Sequence, residues 1–339
     1  MDAAQSGGMA RIFLPETHGP RRGSPPHDRP FPVREGLTVT PLLLASEMYP
    51  ELERLVLQAR ERVFLAFRIF DPATATRSPE AALLRDRVLA GVTVRMLLTD
   101  FEPTFAHRLH ASSWSSFTAM RDVLAGLPEE DRDRLEIIVS QHPGELGWGM
   151  RQLLRLPMGV VLRGLVREFA ETGGDIEELL AVRPGLWRYV KAHEGAPRFR
   201  RGPAPRLWPA THHHKFAVID DRVAIVGGLD VDERRWDTRR YNQPAPETWH
   251  DVSVKVEGPA AGDDPLDEMP DPVQPPGAAP DGSARGQMLR TFSRKSRQLF
   301  AVGPSRHIRE LMQAHRQIIF AARRTLYIEA QFFRSRRAA

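Results

Sequence analysis

An α/β layered fold is predicted by three features of this sequence. Short apolar runs rich in β-branched and aromatic residues recur at 63–70, 92–98 and 135–140. Segments with helical spacing of apolar residues separate them. Two further apolar runs, 216–219 and 223–226, flank an Asp220-Asp221 turn. Strands alternating with amphipathic helices pack as a sheet with helices against it.

Residues 1–36 are rich in Gly, Pro, Arg and Ser, show little apolar periodicity, and read as a tail. Residues 47–60 place Leu52, Leu55, Val56 and Ala59 on one helical stripe. The run at 63–70 is a strand, 79–90 a helix with proline in its first turn, and 92–98 a second strand. A helix over 103–124 and a strand over 135–140 follow. In 148–169, Arg151 with Arg155 and Arg163 with Arg167 are helical neighbours beside a large apolar surface, and Pro157 and Gly159 should kink the helix. This segment reads as a core-facing helix with solvated arginines, or as a basic amphipathic pair near Trp148 suited to a lipid interface. The runs at 216–219 and 223–226 are short strands, and 252–256 adds another. Residues 263–283 are dense in proline, glycine and acids, so they read as a linker. A helix over 305–323 and a strand over 326–333 close the chain. There Ala322-Arg323 leads through two residues into Leu326-Tyr327-Ile328, as Ala59-Arg60 leads into Val63-Phe64-Leu65, which reads as the start of a second copy of the first unit.

The composition, 41% hydrophobic and 27% charged, is that of a globular protein. A formal charge of +5 favours anionic partners, phospholipid head groups or nucleic acid, or simply aids solubility. The absence of cysteine excludes disulfides and cysteine-bound zinc. No apolar stretch is long enough to cross a bilayer, and no apolar h-region of a Sec-type signal is visible. The expected location is the cytoplasm or the membrane periphery, or the exterior by a route that uses no Sec signal.

Chemistry concentrates in Thr211-His212-His213-His214-Lys215-Phe216-Ala217-Val218-Ile219-Asp220, which spells HxKxxxxD with His213, Lys215 and Asp220 at the fixed places. Side chains alternate along an extended segment, so His213 and Lys215 face one way and His212 and His214 the other. A neutral imidazole can attack phosphorus and form a phosphohistidine, and a nearby ammonium can neutralise the non-bridging oxygens. Alternatives are a surface loop without a task, or a nickel or zinc site, although consecutive histidines on a strand diverge. Asp220 falls on a turn where acids are common for local reasons. Gly227 and Gly228 allow close approach of a phosphate or a packed strand. Asp237 can accept a hydrogen bond from the second nitrogen of His213 and fix its tautomer, or pair with a neighbouring arginine.

The run HHHKFAVIDDRVAIVGGLDVDERRWDT, beginning at His212, resembles the first catalytic motif of the phospholipase D superfamily. Residues 249–261, from Trp249 to Ala261, resemble the segment that follows it in the eukaryotic-type branch, and 327–333 resembles the strand that opens the family's second half. The resemblance covers most of the chain from about Leu37. It implies a phospholipase D-like layered fold, a mixed β-sheet flanked by helices, with the second repeat truncated. On that basis 1–36 is a tail, 37–258 the first repeat, 259–286 a proline-rich linker, and 287–339 the start of the second repeat. It further implies a structural role for Asp220 and supporting roles for Asp230, His250 and Asp251. Glu329 falls in the family's Glu-Asn-Gln pattern, where Ala330 replaces the asparagine.

The family builds one active site from two such motifs, and this sequence carries one. The function implied is hydrolysis of a phospholipid such as phosphatidylcholine to phosphatidic acid and choline, without metal or cofactor. The chain is then expected to be a fragment, a homodimer pooling two His–Lys pairs, or a catalytically dead lipid-binding module. A nuclease or phosphatidyltransferase of the same superfamily is the other enzymatic reading. The segment from Trp249 favours lipid over nucleic acid.

Overall fold

The computed structural model describes residues 31–71, 81–171, 175–193, 196–200, 206–244, 248, 250–258 and 282–329. Most of the expected tail, most of the expected linker, Trp249 and residues 330–339 lie outside them.

The centre is a mixed sheet of eight strands. In chain order the strands are β1 (Val33–Leu42), β2 (Arg62–Phe67), β3 (Thr93–Thr99), β4 (Leu135–Ser140), β7 (Lys215–Ile219), β8 (Val223–Gly227), β9 (Ser253–Glu257) and β10 (Ala284–Gln287). Across the sheet they run β10-β1-β9-β8-β7-β2-β3-β4. β2, β3 and β4 are parallel, and every pairing from β2 through β7 to β10 is antiparallel. β2 lies between β3 and β7 and is buried from Val63 to Phe67, which explains its unbroken apolar run.

Three helices cover one face: α1 (Ala45–Gln58), α2 (Ala81–Leu89) and α3 (His107–Leu124). Met48, Leu52 and Leu55 of α1, Leu84 and Val88 of α2 and Met120 of α3 pack with Val63, Leu65 and Phe67 of β2 into the main core. Phe64 and Ala66, between them in sequence, pack on the opposite face with Leu97, Val218 and Ala224. A second cluster lies beyond β4. It combines the short helix α4 (Glu129–Arg132) region's downstream neighbours α5 (Trp148–Leu153), α6 (Arg155–Glu171) and α7 (Ile176–Val182) with the hairpin β5 (Val190–His193) and β6 (Ala196–Phe199). Its interior holds Met158, Leu162, Leu179, Leu186 and Leu207.

Several expectations are corrected. The sheet begins at Val33, inside the segment read as a tail: Val33 pairs with Gln287, and Leu37 with Ala284. The same pairing draws 284–286 out of the expected linker. Alternating polar residues in β1 leave only one apolar face, so composition hides the strand. Residues 305–323 are not one helix. β12 (Ser305–Arg309) pairs antiparallel with β11 (Thr291–Arg294), with Ile308 opposite Phe292, and α8 (Glu310–Ala321) follows. Residues 326–329 form no strand and pair with none of the described residues, and Tyr327 is exposed. The break in 148–169 falls at Leu154. Pro157 sits in the first turn of α6, where a missing N–H costs nothing.

Candidate active site

Lys215 opens β7 opposite Phe67 of β2, and His213 lies two residues earlier, on the loop entering the strand. Three contacts hold that loop. The buried Glu102 accepts from Trp208 N at 3.0 Å and from the Tyr189 hydroxyl at 2.6 Å. Tyr189 Oη also lies 2.8 Å from Arg206 O, and Thr99 Oγ1 donates to His212 O at 3.3 Å. Burial raises the Glu102 pKa, and the hydrogen bonds from Tyr189, Trp208 and Thr104 oppose it. Sequence reading missed this carboxylate, although an acid at the C-terminal end of an apolar strand is a visible signal.

Alternation holds as expected. His212, His214 and Phe216 share one face, with ring centroids 5.2 and 5.9 Å apart, and the His142 ring lies tilted against His212 at 5.0 Å. His213 and Lys215 share the other. Lys215 Nζ lies 3.4 Å from His213 Nδ1 and 3.2 Å from Nε2. A hydrogen bond in the ring plane would bring one nitrogen far closer than the other, so the ammonium lies over the imidazole face. The His213 ring is exposed at its outer side, whereas Lys215 is buried.

Asp230 anchors the ammonium. Its carboxylate is fully buried, with Oδ2 3.6 Å from both Lys215 Nζ and Arg235 Nη2. Its Oδ1 accepts from the backbone N–H groups of Arg68 and Ile69, at 3.1 and 3.0 Å. Tyr49 of α1 donates to Asp230 O at 2.7 Å. Burial pushes the Asp230 pKa up and the Lys215 pKa down, and each charge opposes the shift of the other. Partial burial, then Lys215, Arg68 and Arg235, lowers His213 to about 4. The imidazole is therefore neutral at pH 7, the form a nucleophile requires. Arg68 lies over the Phe101 ring at 5.2 Å. Its charge in an otherwise apolar strand end was a legible oddity that sequence reading passed over.

The remaining expected residues divide. Asp251 lies close enough to raise the Lys215 pKa, and its carboxylate occupies the space where a Cβ on Gly228 would stand. A Cβ on Gly227 would likewise collide with Ser253, so both glycines serve strand packing. Asp220 sits at the far end of β7 from Lys215. At φ 50° it accepts from the N–H groups of Arg60, Glu61 and Arg62, at 2.8 to 2.9 Å. It secures the turn into β2 and stands apart from the reacting pair. Asp237 is buried, and its carboxylate accepts from Thr238 N at 2.7 Å; among the described residues it makes no hydrogen bond to His213. It follows the short 3-10 turn Glu233–Arg235, which turns it toward its own backbone. His250 is exposed beside the Tyr241 ring, with centroids 6.1 Å apart, and does not reach the pair. Among the described residues no three or more His, Asp or Glu side chains are placed so that they could hold one metal ion.

No family model matches the chain, and no curated protein matches its sequence. Solved structures do. NucT from Helicobacter pylori is 12% identical over 65% of this chain and 86% of its own, with a TM-score of 0.33. Phosphatidylserine synthase from Haemophilus influenzae is 12% identical over 66% of this chain and 35% of its own, with a TM-score of 0.33. Nuc from Salmonella typhimurium, a phospholipase D family member, is 7% identical over 66% of this chain and 84% of its own, with a TM-score of 0.29. Scores this low carry no weight for chemistry, which rests on the chain's own residues.

Proposed function

We propose that this chain is a phosphodiesterase of the phospholipase D type, acting on phospholipid. The observation that carries the reading is the neutral His213 imidazole lying over the buried Lys215 ammonium. A ring nitrogen of His213 attacks phosphorus, the bond from phosphorus to the head-group oxygen breaks, and the phosphoryl group is held on nitrogen. Lys215 and the neighbouring arginines offset charge on the non-bridging oxygens. Water then attacks phosphorus, the N–P bond breaks, and phosphatidic acid leaves. The departing alkoxide needs a proton, a contribution typically worth about 10² to 10⁴ in rate. A second His–Lys pair, from another copy of the chain, is the source this reading assigns to it.

Hydrolysis of phosphatidylcholine, compared with nicking of plasmid DNA, both with chelator present, tests the reading. Release of phosphatidic acid that disappears in His213→Ala supports it. DNA cleavage alone would make the chain a nuclease, and lipid binding without turnover in any condition would make it a non-catalytic module.

A further inference from the structure

The C-terminal ends of the parallel strands β2, β3 and β4 define one edge of the main sheet, and Lys215 lies on that edge opposite Phe67. From the same edge the chain leaves β4 at Ser140 and enters α5 at Trp148. Gly147 N donates to Ala301 O and Gly149 N to Leu299 O, each at 2.8 Å, seating the β11–β12 loop against the start of α5. A Cβ on Gly149 would strike the Phe300 ring, so the approach depends on that glycine. Exposed apolar side chains flank this contact on both segments: Trp148 and Leu153 on α5, Leu156 and Val160 in the first turns of α6, and Leu299 and Phe300 on the loop. Leu156 is 82% exposed, Leu153 64% and Phe300 57%.

This is not the core side of α6, which buries Met158, Leu162 and Leu165 instead. Leu156 and Val160 are one turn apart, and the same stripe continues into the exposed Arg163 and Arg167. Arg155 opens the same helix and Arg297 lies in the β11–β12 loop, both exposed, and none of these four arginines forms an ion pair among the described residues. Single exposed leucines need no explanation, but an aromatic and aliphatic patch bordered by arginine marks a docking surface.

We propose that this surface docks the protein on an anionic lipid bilayer. The apolar side chains enter the head-group region and the arginines meet lipid phosphates. Charge selects this occupant, because a second copy of the chain would bring the same arginines face to face. The edge carrying His213 is then held at the membrane. The inference concerns attachment and stands independently of the phosphodiesterase reading.

Co-sedimentation of the full chain with vesicles of phosphatidylglycerol and phosphatidylcholine, against vesicles of phosphatidylcholine alone, tests it. Binding should favour the anionic vesicles and weaken as salt rises. Leu156→Asn with Phe300→Ser should reduce it about tenfold or more. Arg163→Gln with Arg167→Gln, which leaves the apolar patch intact, should erase most of the preference for anionic lipid. Equal binding by the wild type and both double variants overturns the proposal, as does failure of the wild type to bind anionic vesicles. A dimer that Leu156→Asn with Phe300→Ser converts to monomer, without change in vesicle binding, overturns it in favour of contact between copies.

Discussion

His213 is held neutral at pH 7 while resting on a cation, and this combination governs what the site can do. Because its pKa is lowered to about 4, the acid limb of turnover should lie near pH 4, well below the ordinary histidine value of about 6.5. A pH–rate profile of kcat/KM checks this, and a limb near 6.5 assigned to His213 would contradict it. Lys215→Met should lower kcat by about 10² to 10³, the usual cost of removing one preorganised donor to a developing oxyanion. It should also destabilise the fold, since the buried Asp230 would lose one of the cations that face it. Steady-state kinetics on the folded fraction separates the two effects. The facing of His213 and Lys215 was readable because a strand has a period of two residues. The direction of Asp237 was not, because it follows an irregular turn without periodicity. The depth of Asp230 was equally hidden, since its partners are the backbone N–H groups of Arg68 and Ile69, just past the end of β2 and far away in the chain.

At the scale of elements, β7 is fixed at both ends by carboxylates. Asp220→Ala frees three N–H groups at the turn into β2, each costing about 1–3 kcal/mol where it finds no water. Urea unfolding should show the loss, and activity per folded molecule should stay near that of the wild type. The histidines around β7 also set an acid limit on stability. His212 and His213 are both lowered to about 4, so between that value and about 6.5 the unfolded chain binds more protons than the folded one. Their contribution is complete above about 6.5 and declines as pH falls toward 4. Thermal melts across that window should show Tm dropping with acidity, and less steeply in His212→Gln. The strands β2, β3 and β4 were legible as apolar runs. β1, β10 and β12 were not, because each mixes charged residues into the strand, and β1 and β10 pair with each other from opposite ends of the described chain.

For the molecule as a whole, the layered α/β architecture was readable from the alternation of strands and helices. The composition of the sheet edge was not, because β10 joins it from beyond a long proline-rich segment. No described helix is long and apolar enough to cross a membrane. The proposed chemistry calls for a second His–Lys pair, which another copy of the chain can supply. If two copies pool their pairs, mixing wild type with excess His213→Ala and allowing exchange should depress activity below simple dilution of the wild type. Activity that follows dilution alone would place the complete site within one chain.

The nitrogen–phosphorus bond on His213 is the most direct test of all. Rapid-quench peptide mass spectrometry of the full chain during phosphatidylcholine turnover should find a phosphatidyl adduct on His213, absent from His213→Ala. Turnover with no adduct at His213, or turnover that persists undiminished in His213→Ala, would contradict the account.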